Sequence, residues 1–500
     1  MNDHGDSSVA LDGFSQDLAV AASCLGQVVE LPGIGLADPR DRTGESARSD
    51  WRIREIRLAD PRDQTGGSAG QSSMIAGMNN ENLGYEGFSR HAEGLVKMAL
   101  ADTPVVLIQG ARQVGKSTLA AQVLAGTGAR LLTLDTHSVL SAAQNDPDSF
   151  VRQNPDSLLA IDEVQRAPEL LRAVKAVVDE QRRPGQFLLT GSADLLRIPG
   201  QHESLAGRAE TIPLFGLSQG EIRSGKDDLA SRLFSGDEIG LNDFAGTMSR
   251  DEYLEIICEG SYPEPRLRSG RRRQAWFDNY LSRIVDRDAK DISRLMHLDR
   301  LPRLMRLLAA NNSGELVKSR FAKGIDLPET SISGYLELLA SLYLIHFLPA
   351  WGGNLTQRVI GRPKVSLLDS GLAARLNNLS VAAFHPGSAT AHHAGGLTEA
   401  FVTGEIRRQS TWAPNRFEMF HFRDRSGREV DLVLEDDARN IVGIEVKSSA
   451  TVQARDFAGL EYLSEVTGPR FKMGVVLYMG KPAVRFGPRL WALPLSALWI

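Results

Sequence analysis

The octet Gly110-Ala-Arg-Gln-Val-Gly-Lys-Ser117 constrains this chain more than any other segment. The apolar run Pro104–Gln109 before it reads as a buried strand, and Lys116 to about Ala125 reads as a helix. A glycine-rich bend between strand and helix turns backbone N–H groups inward, and the helix N-terminus adds the positive end of its dipole. Such a bend suits phosphate oxygens. The expected nucleotide contacts are Gly110, Ala111, Arg112, Gln113, Val114, Gly115, Lys116, Ser117 and Thr118. Lys116 is expected at the β- and γ-phosphates and Ser117 on a Mg²⁺ ion.

The segments that follow alternate between strand and helix. Arg130–Asp135, Ser157–Asp162, Gln186–Thr190 and Ala209–Leu214 read as strands, and Pro168–Arg183 has helical apolar spacing. That pattern implies a parallel sheet with helices on both faces. The strand Leu158-Leu-Ala-Ile-Asp162-Glu163 ends in two carboxylates. Asp162 is expected to hold the Mg²⁺ shell and Glu163 to orient the attacking water. Ser192, after Thr190-Gly191, is expected at the terminal phosphate or that water. Arg208 is either a surface residue or a cation that reaches a neighbouring subunit's nucleotide.

These residues resemble AAA+ P-loop ATPases. Gly110–Ser117, Ile161-Asp-Glu-Val-Gln165 and Leu188-Leu-Thr-Gly-Ser192 are similar to a widespread prokaryotic ATP-binding family. That family joins an AAA+ domain to a C-terminal domain of unknown function. The resemblance covers roughly residues 85–500. It implies ATP as the nucleotide and Mg²⁺-dependent hydrolysis.

Residues 216–306 are mostly helical and polar, and Arg266–Arg273 holds five arginines. Such a run is a solvated face or a phosphate patch. Ser313–Leu348 reads as short helices, and Thr330–Tyr335 resembles the start of a winged-helix recognition helix. The same geometry serves packing units that never touch DNA.

The C-terminal part reads as helix, three strands, helix, strand. Glu429-Val-Asp431 lies on one strand and Ile444-Glu-Val-Lys447 on the next. A period of two puts Glu445 and Lys447 on one face. Asp431 can meet them, and Glu399 from the preceding helix can complete the cluster. Motif and order are similar to the PD-(D/E)XK nuclease core, with Val430 where that core has proline. The resemblance implies three carboxylates and one lysine handling a metal and a water at a phosphodiester.

The expected fold is therefore α/β throughout. It comprises a P-loop AAA+ domain (85–215), a helical linker (216–306), a winged-helix-like region (307–355) and a restriction-endonuclease-like domain (356–500). Residues 1–80 are rich in Gly, Ser and Asp, and repeat LADPRDRTG as LADPRDQTG. They are expected to be a disordered leader, with translation starting near Met74 or Met78 as the sharper alternative. Two cysteines exclude a disulfide framework, and no apolar run is long enough to span a membrane, so a cytoplasmic protein is expected. The net charge of −5 excludes a generally basic nucleic-acid coat but not a local patch. DNA, RNA or further copies of the chain remain as partners. A switch that binds ATP without hydrolysis, carrying an inactive nuclease-like module, is the alternative.

Overall fold

The computed structural model describes residues 87–192, 205–238, 240–241, 244–285, 289–293, 295–353, 358 and 361–499. The leader, its repeat, Met74 and Met78 lie outside the described residues.

Five strands follow the phosphate-loop pattern: β1 (Val105–Gln109), β2 (Leu131–Thr133), β3 (Leu159–Asp162), β4 (Phe187–Gly191) and β5 (Ala209–Pro213). They form a parallel sheet in the order β2-β3-β4-β1-β5. Alternate residues feed two cores, as the strand period requires. Val106, Ile108, Ala160 and Leu188 face one core, with α1 (Ala92–Asp102) and α2 (Lys116–Leu124). Val105, Leu107, Ile161 and Leu189 face the other, with α3 (Leu170–Glu180). Helix α3 starts two residues later than expected, because Pro168 belongs to the turn that precedes it.

Helices dominate the next segment, including α4 (Arg250–Glu259) and α5 (Gly270–Arg283). Three of its five clustered arginines are held in ion pairs: Arg266 and Arg273 on Glu259, and Arg268 on Glu264. Then come α6 (Leu301–Ala310), β6 (Gly314–Glu315), α7 (Lys318–Gly324), α8 (Glu329–Ser341), β7 (Ile345–Leu348) and β8 (Lys364–Leu367). The strands form an antiparallel sheet ordered β6-β8-β7. Strand β8 pairs with both β6 and β7, so this small sheet draws on residues on both sides of position 355. Helix α8 exposes Glu329, Thr330 and Glu337 and contains no lysine or arginine.

The C-terminal sheet contains β9 (Phe417–Arg423), β10 (Glu429–Asp436), β11 (Ile441–Lys447), β12 (Phe471–Tyr478), β13 (Val484–Gly487) and β14 (Leu490–Pro494). Its order is β13-β14-β12-β11-β10-β9, antiparallel from β9 to β11 and parallel across β11, β12 and β14. Helix α9 (His393–Trp412) covers one face through Leu397 and Phe401, against Leu432, Ile444 and Val475. Helix α10 (Ala458–Thr467) covers the other with Leu460 and Leu463, against Val430, Ile441 and Val476. The helix, three strands, helix and strand read from the sequence are all present. Strands β13 and β14 were not anticipated.

Candidate functional site

The glycine-rich loop leaves the C-terminal end of β1, beside the tips of β4 and β5. A Cβ on Gly110 would stand 2.0 Å from the carbonyl oxygen of Leu214, so only glycine fits. Gly115 has φ +100°, a conformation that side chains resist, and it leads into α2. Lys116 is buried, and its Nζ donates to the carbonyls of Gly110 (3.1 Å) and Ala111 (2.9 Å). The ammonium therefore lies along the loop.

At the tip of β3, Ser117 Oγ donates toward both oxygens of Asp162, at 2.9 and 3.0 Å. Thr190 Oγ1 donates to Asp162 as well. Two hydroxyls and a carboxylate on adjacent strand and helix ends form a hard-oxygen corner that suits Mg²⁺. Among the described residues, no group of three His, Cys, Asp or Glu could hold a metal ion. A cation at this corner would complete its shell with substrate and water oxygens, as Mg²⁺ commonly does.

Glu163 follows Asp162 in the left-handed region, with φ +61° and ψ 42°. Its backbone N–H donates to Thr190 Oγ1 at 3.2 Å. Its carboxylate accepts from Gln165, whose amide also reaches Ser192. Glu163 and Ser192, both expected near the attacking water, thus meet through Gln165, to which the sequence reading gave no role. The signal for Gln165 was its place at the end of the segment Ile161–Gln165, two residues beyond the acid.

Arg208 stands apart from this group. It precedes β5, whose register pairs Ala209 with Val105, so it lies at the N-terminal end of the strands, opposite the end that carries the loop. It forms an ion pair with Asp179 on α3, and its Nη1 donates to Ala206 O at 2.9 Å. It takes no part in the site of its own chain. Arg112 contributes its carbonyl to Tyr280 Oη at 3.3 Å.

Behind the loop lies Arg90, just ahead of α1. Its Nη1 donates to Val114 O (2.8 Å), its Nη2 to Phe215 O (2.7 Å) and its Nε to Glu221 (3.1 Å). Glu221 also closes a capping box with Ser218. Next to this anchor, a cavity of about 340 Å³ opens beside Gly115 and Thr118, walled by Phe88, Leu217, Glu264 and Leu267. Its size and apolar walls suit a nucleobase.

Residues 102–223 match an AAA domain. Strand order, glycine loop and acid pair all fall inside this AAA domain. Beyond it, residues 250–383 match one domain of unknown function, DUF8612, and residues 394–498 match another, DUF4143. Two uncharacterized proteins, Mb2031c of Mycobacterium bovis and Rv2008c of Mycobacterium tuberculosis, are each 27% identical over 365 residues. Each alignment covers 72% of this chain and 74% of the relative. Among solved structures, the Walker-type ATPase PABY2304 of Pyrococcus abyssi matches with TM-score 0.37 and 16% identity, over 58% of this chain and 95% of its own. The RuvB Holliday junction branch migration motor of Thermotoga maritima matches with TM-score 0.21 and 18% identity, over 55% and 88%. Among the described residues, no helix is long and apolar enough to cross a membrane.

The AAA domain is joined to α9 through buried polar contacts. Gln219 N donates to Glu405 Oε2 at 2.9 Å, and Arg408 reaches both Glu405 and Gly216 O at 3.0 Å. Burial pushes the Glu405 carboxyl up to about 7, against the opposing pull of Arg408.

Less than two turns earlier, α9 carries Glu399 into a second cluster. Val446 N donates to Asp431 Oδ2 at 2.9 Å, and Lys447 Nζ donates to Glu445 Oε1 at 2.9 Å. All four residues expected here do converge. The structure adds a second lysine to the single one expected. Lys364 of β8 is buried, with Nζ 2.6 Å from Glu399 and 3.3 Å from Asp431. Burial opposes its charge, but Glu399 and Asp431 outweigh burial and hold its pKa above the usual lysine range. Burial first, then the charge of Asp431, pushes both Glu399 and Glu445 above the ordinary carboxylate range. Lys364 was not legible because it comes from another sheet, far from the acids in sequence.

Proposed function

We propose that the chain is an ATPase that binds Mg-ATP at the Gly110–Ser117 loop and hydrolyses it. The observation that carries this reading is the convergence of the Ser117 and Thr190 hydroxyls on Asp162, beside a loop that already holds Lys116. Lys116 exchanges the carbonyls of Gly110 and Ala111 for the β- and γ-phosphate oxygens when nucleotide enters. Loop amides and the start of α2 share the remaining phosphate charge. Ser117 and Asp162 would hold Mg²⁺, which supplies neutralisation of the phosphate oxygens. The cavity walled by Phe88 and Leu267 takes the base. Glu163 orients the attacking water, and Ser192 donates to it or to the terminal phosphate. Arg208 would serve a nucleotide only on another copy of the chain, after leaving Asp179.

The test uses Lys116→Ala and Glu163→Gln. The first is expected to lose binding of a fluorescent ATP analogue. The second is expected to bind it as the natural chain does, but to release phosphate at least about a hundredfold more slowly. Phosphate release unchanged in both variants would overturn the reading. Tight binding without turnover in the natural chain would favour a nucleotide switch.

The C-terminal unit reads as nuclease-like in architecture. The order α9, β9, β10, β11, α10, β12 supports this, as does the meeting of Glu399, Asp431, Glu445 and Lys447. A specific observation favours a binding module over a cutting one: Lys364 sits among the carboxylates where a metal would be needed. Helix α8 is a poor phosphate reader, because its exposed charges are Glu329 and Glu337. Incubating the full chain with Mg²⁺ or Mn²⁺ and labelled DNA and RNA separates the two. Cleavage that Lys447→Ala abolishes would restore the nuclease.

A further inference from the structure

Gln165 lies in the short 3₁₀ turn Val164–Arg166, immediately beyond the acid pair of β3. Its side-chain nitrogen donates to Glu163 Oε2 and to Ser192 Oγ, the latter at 2.8 Å. Its side-chain oxygen accepts from Ser192 N at 3.3 Å. The orientation of this amide follows from chemistry. An ionised carboxylate only accepts, so the nitrogen must face Glu163; a backbone N–H only donates, so the oxygen must face Ser192 N. The two requirements agree.

The bridge rests on a rigid base. Glu163 adopts a left-handed backbone, a conformation a non-glycine residue keeps only when its surroundings enforce it. Thr190 Oγ1 accepts its N–H, and the next residue, Val164, is fully buried in the core beneath α3. Glu163 is thereby tied to the tip of β4 twice, through its main chain to Thr190 and through Gln165 to Ser192. The Ser192 hydroxyl accepts from Gln165, which leaves its own proton to donate.

We infer that Gln165 is a positioning residue for hydrolysis, fixing Glu163 and Ser192 as one unit around the attacking water; this rests on the ATPase reading above. In the step it serves, water oxygen bonds to the terminal phosphorus. The bridging P–O bond breaks and its electron pair leaves with ADP, while one water proton passes to Glu163 or a phosphate oxygen. Gln165 touches none of these atoms. It sets the direction of the groups that do.

The experiment compares the full natural chain with Gln165→Ala, Gln165→Glu and Lys116→Ala. It measures phosphate release against ATP concentration, with affinity for a fluorescent ATP analogue determined separately. Gln165→Ala is expected to lower kcat at least about tenfold, while KM and Kd stay within about twofold. Gln165→Glu keeps the shape but sets a second carboxylate against Glu163. Because a carboxylate cannot donate to Glu163, this variant is expected to lower kcat as Gln165→Ala does, with affinity again within about twofold. If the natural chain turns over and Gln165→Ala matches it, or if kcat and affinity fall together, the positioning role is wrong. A natural kcat in Gln165→Glu also counts against it. If the natural chain releases phosphate no faster than Lys116→Ala, the ATPase reading itself fails and takes this role with it.

Discussion

Lys364 Nζ lies 2.6 Å from Glu399 Oε1, joining a strand of the small antiparallel sheet to the helix that covers the C-terminal sheet. Both side chains are largely buried, so neither charge has water to fall back on. Removing one partner of a buried pair costs about 3–5 kcal/mol. Lys364→Met is expected to lower unfolding stability by about that amount in urea titration. Adding Glu399→Gln should recover part of the loss, because the stranded charge is gone. A double variant no more stable than Lys364→Met would mean that the pair is not coupled.

Arg90 secures the back of the phosphate loop. Arg90→Ala takes a charged donor from Glu221, which keeps its bonds from the His91 and Ser218 amides, and from the carbonyls of Val114 and Phe215. Stability should fall by about 3–5 kcal/mol. Arg90→Lys keeps the charge but cannot reach three acceptors with a planar fork, so it should recover less than half of that loss. Denaturant midpoints measured on both variants check this.

Gly110→Ala tests the loop's closeness to β5. The added methyl meets a backbone carbonyl 2.0 Å away, and Leu214 N is already bonded to Gln109 O. Overpacking against backbone is expected to cost about 3 kcal/mol. Nucleotide affinity should fall with it. Differential scanning calorimetry and an analogue titration read the two effects.

His91 gives a dependence on pH. Its Nε2 lies 2.7 Å from Asp227 Oδ1. The hydrogen bond to Asp227, opposed by burial and then aided by the Asp227 charge, raises its pKa above the ordinary 6.5. A raised histidine stabilises the fold fully below pH 6.5 and loses that contribution as pH rises through its folded-state value. Stability of the natural chain, relative to His91→Gln, should therefore decline over that window. NMR titration of the imidazole fixes its upper end, and a midpoint at or below 6.5 would contradict the assignment.

Local chemistry was the legible part of this protein. The octet at Gly110, the acids ending β3 and the alternation along β11 each follow from neighbours within a few residues, and each stands where its period put it. Lys364 and Arg90 were not legible, because their partners lie 35 and 131 positions away and only tertiary folding brings them together. Arg208 was left with two readings for a related reason. Its nearness to a strand was plain, but the parallel register decides which end of the sheet it occupies. Strand β8 was missed because its mixed sequence Lys-Val-Ser-Leu gives a weak signal without its two neighbours.

Helix α9 holds Glu399 near one end and Glu405 farther along, so a single rod serves both the acidic cluster and the underside of the AAA domain. A truncated protein that stops before residue 393 would bare the amide of Gln219 and strip the apolar seat of α9. Cloning the AAA part by itself should therefore yield insoluble material, and biochemical dissection will have to proceed by point changes in the intact polypeptide.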